Sequence, residues 1–389
     1  MKDERDNRPQ TDLLWPTSAQ QLLLKGALTQ GDTAIQAWKA WHAKIDWSDH
    51  LDQDSYRLTP LLYYNLSQHQ VKDPIMGKLK GIYRMTWYKN TTALRGLASA
   101  LQAMLGSKIA TMLIKESASI VGYYPNIGLR LLNRLDLIVP KALLPNAIEC
   151  LDQIGWTLDQ RHARRPMGIL LATEPALVFV NAEKQTLHLH WQVLRGDRVP
   201  QADLNFWQDG IATQINGVST SILCAENHLL QVCTDSQSSP VVGSIAWVAD
   251  AMMVLRSSAS TIDWQRLLIQ AQDRLLVVPL RDSLEYLHAS FAAPIPAAAL
   301  DKLRDRAISR MERWETRYLA SGYQHRPWAD IPYFWFDYLR SRDLSRNENK
   351  LSGFVRYLYR RSEAPSLWQL PIYLTLACAR RIKRSFIAE

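Results

Sequence analysis

MLIKESASIVGYYPNIGLRLLNRLDLIVP, residues Met112–Pro140, is the segment whose order of residue types describes a chemical task. It reads as strand, turn, helix and strand. Met112–Lys115 is apolar up to its lysine, Glu116–Ser119 is small and polar, Pro125 and Gly128 punctuate Tyr124–Gly128, and Leu135–Val139 is apolar again. Residues two apart in a strand share a face, so Arg134 and Asp136 should project together near the Lys115–Ser119 turn. That turn is small enough for a phosphate to approach.

Upstream of this stretch the pattern is helical. Ser18–Gln30, Thr33–His42, Thr59–Leu66 and Lys78–Leu105 carry apolar residues at helical spacing. Downstream, Lys141–Ile154 reads as a helix closed by Gly155, and Leu177–Val180 with Thr186–Val193 reads as a hairpin across Asn181–Gln185. From Ser221 onward Ala, Leu, Trp and Arg return at helical spacing, with a linker near Ala292–Pro296. The expected fold class is α+β, a small mixed β-sheet core flanked by helical regions. The expected division is a helical 1–108, an α/β core at 109–220 and a helical 221–389.

With 389 residues, 47% of them hydrophobic and 21% charged, the chain has the composition of a globular protein with a large core. No apolar run approaches the roughly 20 residues that span a bilayer, and the polar start MKDERDNRPQTD lacks a signal-peptide apolar region. A cytoplasmic location is expected. Cys150, Cys224, Cys233 and Cys378 form no Cys-x-x-Cys pair, which points to buried free thiols rather than zinc or disulfides. The net charge of +9 favours acidic partners. No P-loop, Gly-x-Gly-x-x-Gly or hydrolase nucleophile motif is present.

The segment Met112–Pro140 resembles the signature of the uncharacterised nucleotidyltransferase family, within the polymerase-beta-like nucleotidyltransferase fold. The family's Leu-Lys-Gly corresponds to Ile114-Lys115-Glu116, its Tyr-Pro to Tyr124-Pro125, its Arg to Arg130, and its Asp-x-Asp strand to Arg134-Leu135-Asp136-Leu137-Ile138-Val139. The later Glu-Leu-His-Trp corresponds to His188-Leu189-His190-Trp191. The helical Trp-x-x-Asp-Ala and Asp-Trp elements correspond to Trp247-Val248-Ala249-Asp250-Ala251 and Asp263-Trp264. The similarity runs from about Ser18 to Pro296. Leu24-Lys25-Gly26 imitates the glycine motif, but no Asp-x-Asp strand follows it.

The resemblance implies nucleotidyl transfer with Mg2+ and a nucleoside triphosphate, in which carboxylates on neighbouring strands hold the metal. Of that set only Asp136 survives as a residual catalytic residue, because Arg134 and His188 stand where carboxylates belong. Glu116 replaces the glycine that admits the phosphates. The expected consequence is a binding or regulatory component that has lost efficient catalysis and holds no cofactor. The alternative is an active transferase moving a nucleoside monophosphate to a small molecule, peptide or protein.

Lys115, Glu116, Ser117, Ser119 and Arg130 are the candidate nucleotide-binding residues. Ser117 and Ser119 alternatively cap a helix, and Lys115 and Arg130 alternatively form structural ion pairs. The opposite charges at Glu116 and Arg134 suggest a salt bridge across the altered site. His188 and His190, on one strand face with Asp136, are a transition-metal donor set, but packing or hydrogen bonding is the expected role and no metal is expected. Asp250 and Asp263 are expected to be architectural. The expected partner is a protein. A nucleotide remains open, as does an anionic membrane or nucleic acid at the basic C-terminal region, which from Arg340 onward has eleven basic and four acidic residues.

Overall fold

The computed structural model describes residues 15–45, 47, 51–194, 202–238, 245–321, 330–341, 349–362, 364 and 366–376. The described residues begin with four helices: α1 (Ser18–Leu28), α2 (Gly31–His42), α3 (Gln53–Gln68) and the long α4 (Met76–Gly106). Thr17 starts α1 with a capping box, its hydroxyl accepting from Gln20 N while the Gln20 side chain accepts from Thr17 N. Leu24-Lys25-Gly26 lies inside α1 with Leu24 and Gly26 buried, so the glycine imitation is helix packing.

The α/β region follows as β1 (Met112–Leu113), α5 (Lys115–Ala118), β2 (Leu135–Ile138), α6 (Leu144–Gln153), β3 (Thr157–Leu158), α7 (Gln160–Ala163), α8 (Met167–Thr173), β4 (Ala176–Val180), β5 (Thr186–His190), α9 (Ala202–Gln208), β6 (Ile211–Ile215) and β7 (Val218–Ile222). The seven strands form one mixed sheet in the order β3-β4-β5-β2-β1-β7-β6. The β4–β5 hairpin stands as expected, and Gly155 ends the α6 turn at φ +82. The sheet is wider than the sequence reading expects. β6 and β7 form a second hairpin across Asn216-Gly217, both with positive φ, the combination a two-residue turn of this hand requires.

Register explains the two faces of the sheet. Leu113, Leu137, Leu189 and Leu177 pair in succession across β1, β2, β5 and β4, and each is fully buried. One strand position away the row is Asp136, His188 and Val178, and it points to the opposite face because side chains alternate along a strand. One face is therefore apolar core, and the other carries the polar groups.

After the sheet the described residues form helices α10 (Ala225–Ser238), α11 (Ala246–Ser257), α12 (Trp264–Asp273), α13 (Val277–Phe291), α14 (Ala297–Asp305), α15 (Arg310–Ala320), α16 (Asp330–Ser341) and α17 (Lys350–Ser362). The linker expected near Ala292–Pro296 separates α13 from α14, with Ala292 left-handed. A single apolar cluster runs from Leu23 through the sheet to Leu303, so the cuts at 108/109 and 220/221 fall within one shared core. Cys150, Cys224 and Cys233 are buried free thiols, while Cys378 lies outside the described residues. Among the described residues no helix is long and apolar enough to cross a membrane.

Candidate functional site

Asp136 sits in β2 between two neighbours that use both of its oxygens. His190 Nε2 lies 3.0 Å from Oδ1, and Arg134 Nε donates to Oδ2 at 3.0 Å. The first contact follows from the parallel β2–β5 pairing, and the second from the shared strand face expected of Arg134 and Asp136. Asp136 is fully buried, whereas the Arg134 side chain is 40% exposed. Burial pushes the carboxyl up, but Arg134 and the hydrogen bond from His190 outweigh it and hold Asp136 well below the usual carboxylate range. Burial pushes His188 down to about 4 and lowers His190 as well, so both rings are neutral near pH 7. The two rings lie 6.3 Å apart, centroid to centroid.

The Lys115–Ser119 turn is tied to the protein rather than open. Lys115 is left-handed at φ 52, a conformation that costs a residue other than glycine about 1–2 kcal/mol. Two partners on α10 hold it there: Gln231 Oε1 accepts from Lys115 N at 2.8 Å, and Asp235 pairs with the ammonium. The left-handed residue is thus Lys115 and not Glu116, which stands at the glycine position of the resembled motif. Ser117 and Ser119 are buried and engaged: Ser117 Oγ accepts from Asp136 N at 2.8 Å, and Ser119 Oγ shares a 2.9 Å hydrogen bond with His228 Nε2. Both hydroxyls brace the turn against β2 and α10.

The expected Glu116–Arg134 salt bridge is corrected by the structure. Glu116 Oε1 lies 3.4 Å from Arg130 Nη2, and its other oxygen accepts from Asn133 N at 3.2 Å, while Arg134 turns to Asp136. Arg134 lies in the bend immediately before β2, two positions from Asp136, and pairs with that carboxylate, while the two oxygens of Glu116 are taken by Arg130 and Asn133 N. Arg130 is itself buried and bound by Asp250 of α11, through Nε–Oδ1 at 3.2 Å and Nη2–Oδ2 at 3.3 Å. Tyr124 adds a 2.8 Å hydrogen bond to Asp250 Oδ1. Burial works against the Arg130 charge, yet Asp250 and Glu116 raise its pKa above the ordinary value. Asn90 of α4 closes the loop, donating to Arg130 O at 2.7 Å and accepting from Leu132 N at 2.9 Å.

Tyr124, Arg130 and Asp250 therefore form a buried brace between the strand-bearing segment and the C-terminal helices. Asp263 has the capping role expected of it, accepting from Arg266 N at 2.9 Å at the start of α12. Gln231, Asp235 and His228 on α10 complete the site and were not singled out from sequence. The acidic Asp235 and the amphipathic spacing of α10 offered only a weak signal for them.

A sequence model of the uncharacterised nucleotidyltransferase family matches residues 43–292, well over half of the chain. The chain belongs to the uncharacterised nucleotidyltransferase family. A solved structure, an antigenic nucleotidyltransferase-like protein from Paracoccidioides brasiliensis, is similar at 15% identity and a TM-score of 0.36, covering 54% of this chain and 96% of that one. No curated protein matches.

The magnesium ions that nucleotidyl transfer employs do not fit this member of the uncharacterised nucleotidyltransferase family. Magnesium asks for several hard oxygen ligands, whereas here one carboxylate is already bound by a guanidinium and an imidazole. Asp136, His188 and His190 do bring three ligand atoms within 4.8 Å of one another, one oxygen and two nitrogens, a set suited to a transition metal rather than magnesium. Arg134 competes with any cation for the same carboxylate.

Proposed function

We propose that this protein is a nucleotidyltransferase-fold component, acting in the cytoplasm without a bound cofactor, that has lost efficient magnesium-dependent transfer and serves to bind a protein or an anionic ligand. The observation that carries this reading is the double engagement of Asp136, with Arg134 on one oxygen and His190 on the other. Arg134 supplies a fixed positive charge where the resembled motif has a metal ligand. The guanidinium and the imidazole satisfy the buried carboxylate, so that holding it requires no metal.

Calorimetric titration of the full chain with each nucleoside triphosphate, with and without magnesium, tests the reading. The expected result is no magnesium-dependent binding, and no transfer of labelled nucleotide to candidate partners. Micromolar, magnesium-dependent binding that Asp136→Ala abolishes would overturn it. The second reading, an active transferase, is favoured by one observation: the Arg134 side chain is 40% exposed, leaving it room to swing away from Asp136. Labelled product in the transfer assay, lost in Asp136→Ala, decides for that reading.

A further inference from the structure

A cleft with a volume of about 970 Å³ opens between the α7–α8 segment and α17, at the upper end of the size range of small-molecule sites. Val178 of β4 lines its floor. Val178 pairs in register with His188, and His188 with Asp136, so the three side chains leave the same face of the sheet. Two strand spacings separate Val178 from Asp136, about 10 Å. The cleft is therefore on the face that bears the altered site but is built from different residues.

Its charge is lopsided. Arg161, Arg164, Arg165 and Arg360 line it against two carboxylates. Arg161 is matched by Asp159 at 3.4 Å and Arg165 by Glu174 at 2.5 Å. Arg164, before α8, and Arg360, on α17, are exposed and have no acidic partner among the described residues. A guanidinium presents a planar fork of donors, the group best matched to a phosphate. His162 adds a neutral donor: its Nδ1 accepts from Val178 N at 3.0 Å, which leaves the proton on Nε2. Ile169 and Val178 supply an apolar wall.

We propose that this cleft binds a phosphorylated small molecule, its phosphate held between Arg164 and Arg360 and its less polar body lying against Ile169 and Val178. The ligand class deepens the binding role proposed above, and it rests on that reading for the claim that the nucleotide is not held at Asp136. The concave shape and limited volume favour a small molecule over an extended nucleic acid or a membrane surface. The C-terminal region then contributes Arg360 to a built site rather than a general basic surface. Two of its other arginines are engaged elsewhere. Arg340 is engaged by Glu315 and by the carbonyls of Arg274 and Leu275, and Arg361 lies over Phe334 and 3.7 Å from Asp337.

Full-length protein is titrated with ADP, pyrophosphate and adenosine in the presence of a chelator. ADP and pyrophosphate are expected to bind without metal, and adenosine about tenfold more weakly than ADP or worse. Arg164→Ala and Arg360→Ala should each weaken ADP by about tenfold, the charge reversal Arg360→Glu should weaken it further, and Arg84→Ala on the exposed side of α4, away from the cleft, should leave it unchanged. Both arginines are exposed, and circular dichroism confirms that each variant is folded. Absence of binding by every probe, or binding that the arginine variants leave intact, would overturn the cleft proposal alone. In a second titration with magnesium in place of the chelator, ADP binding that requires the metal and is lost in Asp136→Asn would instead overturn the reading of the altered site.

Discussion

Arg130 and Asp250, 120 positions apart in the chain, meet through two nitrogen–oxygen contacts of 3.2 and 3.3 Å in a place where both side chains are buried. Removing one partner strands the other charge in the interior. Arg130→Met or Asp250→Leu alone should cost about 3–5 kcal/mol, and the double replacement should cost clearly less than the sum. Denaturant unfolding of the two singles and the double measures this; strictly additive losses would show that the pair is not coupled.

Arg134→Met tests the cation that occupies the altered site. The wild-type carboxyl of Asp136, depressed on folding, contributes stability above the unfolded pKa and loses it as pH falls through the folded value. Without Arg134, burial raises that folded pKa, so the variant should be about 1–3 kcal/mol less stable at pH 7, the exposure of Arg134 limiting the loss. The deficit should shrink towards pH 4 as Asp136 takes up a proton. Urea midpoints at the two pH values give the answer, and an unchanged or larger deficit at pH 4 refutes the argument.

His228 is fully buried, and burial pushes its pKa down to about 3. Its Nδ1 has no hydrogen-bond partner among the described residues, so a proton there would be unsupported. A depressed histidine contributes stability above the unfolded pKa of about 6.5 and loses it as pH falls towards the folded value, by about 1.4 kcal/mol for each unit in between. Between pH 7 and 5.5 the wild type should therefore lose about 1 kcal/mol more than His228→Gln. Parallel unfolding curves for the two proteins across that window would dispose of the assignment.

Glu116 discriminates between two possible partners. A double-mutant cycle pairing Glu116→Gln with Arg130→Met should show a coupling of at least about 0.5 kcal/mol, and the cycle with Arg134→Met a smaller one. The opposite order would restore the salt bridge that the sequence alone suggests.

Much of the architecture was legible because periodicity is a backbone property. The long α4, the helix closed by Gly155 and the β4–β5 hairpin all follow from residue order, and Arg134 with Asp136 follows from alternation along a strand. The β6–β7 hairpin carried its signal in Asn216-Gly217 but has polar, half-exposed strands, so no apolar alternation announced it. The partners of the site were harder to see. Gln231 and Asp235 reach Lys115 from more than a hundred positions away, and no local pattern encodes which carboxylate will neutralise which cation. The Glu116–Arg134 pairing failed for that reason: complementary signs gave two candidates, and distance chose Asp136 for the arginine.

The brace between Arg130 and Asp250 also sets an order of assembly during synthesis. When β2 leaves the ribosome, the guanidinium destined for the interior has no counterion from α11, because Asp250 is still 120 residues from Arg130 along the chain. β1 lacks its parallel neighbour β7 at that stage as well. Until α11 has emerged, the Arg130 guanidinium therefore lacks the counterion that its burial requires, and final closure of this segment is tied to synthesis of the C-terminal helices.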